Sequence, residues 1–255
     1  MKIFITGASG GVGEALVRQS VKAGHTVWGV ARREELLKKM QSDLGADKFL
    51  FTKCDVSNEN DVENTVKLMR AANFLPEIVI LNAAVFFHDA RSSYQHNLFK
   101  QGMAINVFGA LVWVDKFMPD FLKRGSGSFI AISSISAYLP HSNDIFHSAS
   151  KAALSMAIRS LQLNYVKNNI NFSVINFGPI ATSLSPQWID SSGKPKYFFV
   201  LTPEKAASCI KKIIEVKNKK SVYWEPFPIS WAWRLVSFLP DNLFYILSKY
   251  LKREK

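Results

Sequence analysis

The sequence predicts an α/β protein built on a doubly wound parallel sheet. Three observations carry that prediction. Strand-like and helix-like segments alternate from Lys2 to Trp224. A glycine-rich turn separates the first strand from the first helix, and no repeat, low-complexity tract or linker interrupts the chain before residue 180. At 255 residues the chain is within the size of one large domain.

Each element has its own signal. Lys2–Thr6 is a short apolar strand, and Val12–Ala23 is a helix that Gly24-His25 ends. Thr26–Val30 completes a βαβ unit of about thirty residues, which implies parallel pairing and a right-handed crossover. Helix Glu34–Met40 then precedes strand Phe49–Thr52, and helix Glu59–Ala72 precedes strand Ile78–Asn82. One long helix is expected around Tyr94–Leu122 before strand Ser128–Ser133, and helix Ser148–Val166 precedes strand Asn171–Asn176. Between Thr182 and Thr202 the pattern breaks down around Pro186, Gly193 and Pro195, as expected of a mobile loop over a site. Helix Pro203–Val216 and strand Ser221–Trp224 follow.

Composition narrows the function classes. With 48% hydrophobic and 20% charged residues the chain is globular, neither disordered nor fibrous. Two cysteines, Cys54 and Cys209, are too few for a disulfide framework and read as reduced thiols of a cytoplasmic protein. The five histidines are scattered without metal-ligand spacing, so no metal site is expected. The N-terminus runs straight into a strand and does not read as a signal peptide.

The chemistry starts at Thr6-Gly7-Ala8-Ser9-Gly10-Gly11-Val12-Gly13. Glycines let a backbone approach a pyrophosphate, and a helix N-terminus offers unpaired N–H groups and partial positive charge. This turn resembles the cofactor fingerprint of the short-chain dehydrogenases/reductases. The resemblance spans about residues 1–225 and implies a single Rossmann-type NADP-binding and catalytic domain there. Cys54-Asp55-Val56 resembles the family's adenine-contacting Asp and its neighbour. Asn82-Ala83-Ala84 is similar to its Asn-Asn-Ala-Gly turn, with Leu81 and Ala84 departing from that pattern. Asn176-Phe177-Gly178-Pro179-Ile180-Ala181-Thr182 resembles the Pro-Gly turn whose Thr meets the nicotinamide carboxamide, with Phe177 in place of the usual Pro. The expected cofactor contacts are therefore Gly7, Ser9, Gly11, Val12, Gly13, Asp55, Val56, Asn82, Ala83, Ile180 and Thr182. The second strand ends in Ala31-Arg32-Arg33 with no acid before Glu34. An acid there would hold the ribose 2′-hydroxyl of NAD, whereas an Arg accommodates the 2′-phosphate of NADP. NADP is thus expected, with Arg32 the preferred contact.

The same resemblance implies that Asn106, Ser134 and Lys151 occupy three of the family's four catalytic positions. Asn106 supports a proton relay, Ser134 orients a carbonyl, and Lys151 holds the nicotinamide ribose. The fourth position belongs to a Tyr in the family, and here it is His147. Four residues apart on a helix, His147 and Lys151 share a face. A neighbouring lysine cation would favour the neutral imidazole, a weaker acid than imidazolium. The imidazole is also about 2 Å shorter than a phenol, where a misplacement of about 1 Å can cost roughly a hundredfold. Three readings stay open: His147 works as acid/base, another donor such as Tyr138 reaches in, or the site binds cofactor with little catalysis.

From Pro203 onward there are eleven Lys/Arg against five Asp/Glu, half of the net charge of +12 in about a fifth of the chain. Residues 226–255 form a basic, aromatic-rich extension. Ser230 is expected to cap one short helix to Leu239, and Pro240-Asp241 to stop it and start another to about Leu251. Arg234, Pro240, Asp241 and Asn242 break any span long enough to cross a membrane. The tail reads either as an interfacial anchor at a membrane surface or as a cover packed over the substrate pocket. The basic residues match no groove-reading motif, so no nucleic acid is expected. The resulting expectation is an oxidoreductase moving a hydride between NADP(H) and a carbonyl or alcohol on a small lipophilic molecule, as a homo-oligomer. The competing expectation is a catalytically weak NADP-binding sensor or membrane-surface scaffold.

Overall fold

The computed structural model describes residues 1–87, 94–140, 145–217, 219–240 and 242–246. Seven strands form one parallel sheet in the order β3-β2-β1-β4-β5-β6-β7. They are β1 (Lys2–Thr6), β2 (Thr26–Ala31), β3 (Phe49–Lys53), β4 (Ile78–Leu81), β5 (Gly127–Ser134), β6 (Ile170–Phe177) and β7 (Val222–Glu225). The helices between them are α1 (Gly11–Lys22), α2 (Glu34–Leu44), α3 (Glu59–Ala71), α4 (His96–Met103), α5 (Gly109–Arg124), α6 (Ile145–Tyr165) and α7 (Pro203–Glu215), and α8 (Ile229–Val236) follows β7. The doubly wound Rossmann-type arrangement agrees with the sequence prediction.

Parallel strands covered on both faces need apolar residues at consecutive positions. In β1, Phe4 joins a core with Trp28, Trp113, Phe117, Phe129 and Phe172. Its neighbours Ile3 and Ile5 join Val27, Ile80, Ile130, Ile175 and Ile210 on the opposite face. The strand order reverses between β1 and β4, so a crevice opens at their carboxyl ends, where such sheets take ligands.

Three expectations are corrected. The single helix around Tyr94–Leu122 is instead α4, a π-helical turn over Ala104–Phe108, and α5. The wide turn holds Asn106, whose amide bonds to Val85, and such turns gather at functional sites. The segment after Thr182 is a loop bordering the cavity, as expected, and it is tied by a short 3₁₀ turn at Pro186–Trp188, a bridge between Ile189 and Pro195, and Asp190 Oδ1 accepting from the Ser192 and Lys194 amides. Ser230 does not cap the tail helix. Its hydroxyl is buried and donates to the Glu225 carbonyl at 2.7 Å, and α8 ends at Val236, short of Leu239. Residues 242–246 are helical, while Asp241 and the remainder of the expected second helix lie outside the described residues.

Candidate active site

A cavity of about 760 Å³ occupies the crevice. The glycine-rich turn forms one end. Gly7 and Gly11 have φ of +69° and +55°, values that favour glycine. A Cβ on Gly13 would stand 2.1 Å from the Gly7 carbonyl oxygen, so α1 can pack this close only without a side chain. Gly7, Ser9, Gly11 and Val12 line the cavity, and Gly13 sits behind them as the packing position. This backbone cradle fits a pyrophosphate at a helix N-terminus.

Two parts of the expected cofactor set support the turn itself. Asn82 Nδ2 donates to the Thr6 carbonyl at 2.9 Å and to that of Gly7 at 3.4 Å. Thr6 Oγ1 accepts from the Asn82 and Ala83 amides, both at 2.9 Å. The β4 end is thereby tied to the β1 turn. Thr182 lies across the turn: its methyl would be 3.5 Å from a Cβ on Gly11, and its hydroxyl meets Ser185 Oγ at 3.1 Å. Ile180, Asp55 and Val56 also line the cavity, and Asp55 Oδ1 accepts from both the amide and the hydroxyl of Ser57.

The two arginines behave differently. Arg33 folds back over the turn, donating from Nε to Ser9 Oγ and from Nη2 to the Ser9 carbonyl, both at 3.1 Å. Arg32 stays 59% exposed in its side chain, with Asp55 4.0 Å away. Sequence reasoning preferred Arg32 and missed the Ser9 clamp, because a tertiary contact across 24 residues leaves no local spacing signal.

At the other end Ser134, His147 and Lys151 line the same cavity. Ser134 Oγ accepts from the Ser136 amide at 3.1 Å, which leaves its proton free to donate. Lys151 is only 5% exposed, and its Nζ donates to the Ile132 carbonyl at 2.8 Å. Burial pushes its ammonium down to about 8. Near neutral pH the lysine is still mainly the expected cation beside His147, and it gives up its proton only as the pH rises through about 8. His147 packs edge-on against Phe86, with ring centres 4.9 Å apart.

Asn106 lies behind the cavity, 1% exposed. Its Oδ1 accepts from the Val85 amide at 2.8 Å, and its Nδ2 donates to the Val85 carbonyl and to Ser150 Oγ. Ser150 Oγ in turn donates to the His147 carbonyl at 3.0 Å. The Asn106 side chain thus fixes the turn of α6 that carries His147, through a serine that the sequence reading did not single out. Ser133 bonds Ser155 Oγ at 2.7 Å inside the core. Tyr138 does not line the cavity and packs on Trp224, with ring centres 4.9 Å apart.

Further walls come from Val85, Phe86, Ile105 and Leu139 and, late in the chain, from Leu184, Trp188 and Phe199 of the loop and Pro226, Ile229 and Trp233 of the tail. Among the described residues no helix is long and apolar enough to cross a membrane.

Comparison with known proteins agrees with this layout. A family model described as short chain dehydrogenase matches residues 1–192. A dehydrogenase/reductase SDR family protein 7-like of Drosophila melanogaster is 27% identical over 260 residues, covering 97% of this chain and 79% of the relative. An uncharacterised oxidoreductase of Staphylococcus aureus (strain MW2) is 26% identical over 190 residues, 74% of this chain and 82% of the relative. The crystal structure of a short-chain dehydrogenase from Streptomyces avermitilis superposes with a TM-score of 0.82 at 22% identity, covering 99% of this chain and 97% of that one. With the glycine cradle, the Ser134–Lys151 pair and a match over three quarters of its length, this chain belongs to the short-chain dehydrogenase family of oxidoreductases.

Proposed function

We propose that the protein reduces or oxidises a small lipophilic carbonyl or alcohol with NADP(H). The observation that carries this reading is one cavity lined at one end by the glycine-rich turn and at the other by Ser134, His147 and Lys151. NADP(H), when bound, supplies or accepts the hydride. Gly7, Gly11 and the α1 N-terminus would hold its pyrophosphate, and Arg33 with Arg32 would meet its 2′-phosphate. Ser134 would orient the substrate carbonyl by a hydrogen bond from its hydroxyl, keeping its own proton. His147 is the nearest replacement for the family's proton donor, and Lys151 sets the local charge. Asn106 acts through Ser150 on the placement of His147. The largely apolar walls from Leu184, Trp188, Phe199, Ile229 and Trp233 support a lipophilic substrate. The test is NADPH consumption by the pure protein with a panel of aliphatic and aromatic ketones and aldehydes. Turnover is expected, with NADPH preferred over NADH.

His147 favours one second reading, a catalytically weak NADP-binding sensor or scaffold. Tight NADPH binding with no turnover across the panel selects it. The same proposal divides the chain into residues 1–225, which carry cofactor and catalysis, and the extension from 226.

The outer side of the tail supports contact with an anionic membrane surface. Phe227 and Phe238 are 70% and 69% exposed, and Phe198, on the loop that also borders the cavity, is 93% exposed. These apolar side chains accompany the chain's excess of positive charge, which is the combination interfacial binding needs. We read the protein as peripheral on this ground, and as cytoplasmic from its two free thiols, Cys54 and Cys209. Full-length protein should sediment with phosphatidylserine vesicles at low salt, and deletion of residues 226–255 should abolish this. Exposed Met156 and Leu163 on α6 support a homo-oligomer, which light scattering after size exclusion reads directly.

A further inference from the structure

This inference rests on the cavity being a substrate cavity. Helix α8 lies beyond the last strand, yet it supplies Ile229 and Trp233 to the cavity wall. A wall selects ligands only if it is held in place. Ser230 holds the first turn of α8 through the Glu225 carbonyl. The last turn is held by Arg234. Its guanidinium lies 4.7 Å from the centre of the Tyr138 ring and 4.3 Å from that of Phe238, with a hydrogen bond to Ser237 Oγ. A planar cation between aromatic faces is a directional contact. Tyr138 is itself packed on Trp224 of β7. It also closes the 3₁₀ turn that starts directly after Ser134, its amide donating to the Ile135 carbonyl at 3.1 Å.

We propose that Arg234 is a positioning residue for substrate binding. It clamps the tail to the segment that carries Ser134, and so sets the distance between the apolar Trp233 wall and the hydroxyl that meets the substrate oxygen. The ligand class is an apolar chain or ring bearing a single oxygen, and nucleotide binding is untouched because Arg234 and Tyr138 lie away from the glycine-rich turn.

The probe is decanol, titrated into the full-length protein in the presence of NADP⁺ and read by quenching of tryptophan fluorescence. Arg234→Ala should weaken decanol at least tenfold while the affinity for NADP⁺ stays within twofold. Arg234→Lys, which keeps the charge without the planar fork, should recover part of the loss. Tyr138→Ala should reproduce Arg234→Ala, and the double variant should be no worse than either single one. If Arg234→Ala does not fold, Tyr138→Ala carries the test from the other side of the contact. The proposal is overturned by decanol affinities within twofold of wild type in both single variants. It is equally overturned by NADP⁺ affinity falling in step with decanol, or by a wild type that does not bind decanol. A wild type that binds decanol in an Arg234-dependent way yet consumes no NADPH leaves this proposal standing and removes the catalytic reading.

Discussion

The two ends of the cavity are built by opposite means. The cofactor end is made of backbone. Gly7, Gly11 and Gly13 leave space, and Thr6 and Asn82 fasten the turn to the neighbouring strand with hydrogen bonds. The substrate end is made of side chains that arrive from many separate segments, among them the region after β4, β5 and the turn after it, α6, the loop after Thr182, the region after β7, and α8. A surface of backbone amides fits one chemical group, an anionic diester or monoester, and tolerates almost no change. A surface of packed aromatic and aliphatic side chains can be re-cut one residue at a time. The difference fits the glycine-rich turn keeping the spacing Gly7-x-x-x-Gly11-x-Gly13 while the substrate end carries His147 where the family has Tyr.

The sharpest test of the substrate end is His147. If it donates the proton, His147→Phe should lower the turnover number by roughly 10²–10⁴-fold with NADPH affinity unchanged, the usual range for general acid catalysis. His147→Tyr should preserve or raise turnover, because a phenol reaches further beside Lys151. Tyr138→Phe should matter little, since Tyr138 faces Trp224. Steady-state kinetics on one accepted aldehyde decides among these.

The cofactor end should break differently. Gly13→Ala places a methyl 2.1 Å from a backbone oxygen that cannot yield cheaply. The expected outcome is a loss of about 3 kcal/mol of stability together with nucleotide binding, read by urea denaturation and NADPH fluorescence.

Lys151 joins the two ends and carries a pH signature. Its folded value of about 8 lies below the unfolded 10.5, so folding opposes its protonation. The penalty is absent above 10.5, grows as pH falls towards 8, and is complete below it, at about 3 kcal/mol. Lys151→Met loses one hydrogen bond to Ile132 and escapes the penalty. It should therefore stabilise the ligand-free protein by about 2 kcal/mol at pH 7 and give no gain at pH 11, while turnover disappears. In wild type, a bound nucleotide's negative charge should raise the lysine's value again. NADPH affinity is then greatest below pH 8 and declines above it, with proton uptake on binding near pH 8 visible by calorimetry in two buffers.

The smallest effects should separate the two arginines. Arg33→Ala and Arg32→Ala should each reduce the preference for NADPH over NADH by about 1.5–3 kcal/mol if both meet the 2′-phosphate. Arg33→Ala should also weaken NADH, because it releases Ser9 from the turn. Equal affinities for the two cofactors in wild type would remove the NADP reading.

Local chemistry fixed much of this protein before any contact was known. The alternation of apolar runs and amphipathic segments set the parallel sheet, and Gly7-x-x-x-Gly11-x-Gly13 marked the nucleotide end, because both depend on residues close together in sequence. Ser134, His147 and Lys151 were legible through the resemblance to the short-chain dehydrogenases/reductases, and spacing added only that His147 and Lys151 share a helix face. Tertiary structure alone decided the rest. Arg33 reaches Ser9, Asn106 reaches His147 through Ser150, and Trp233 and Arg234 close the far wall. The Arg33–Ser9 and Asn106–Ser150 contacts span 24 and 44 positions and Arg234 reaches back to Tyr138, so only packing specifies them. The long helix around Asn106 failed to read correctly for the same reason. Periodicity records which residues are apolar, whereas the wide turn carries a buried amide bound to the Val85 backbone, 21 positions away.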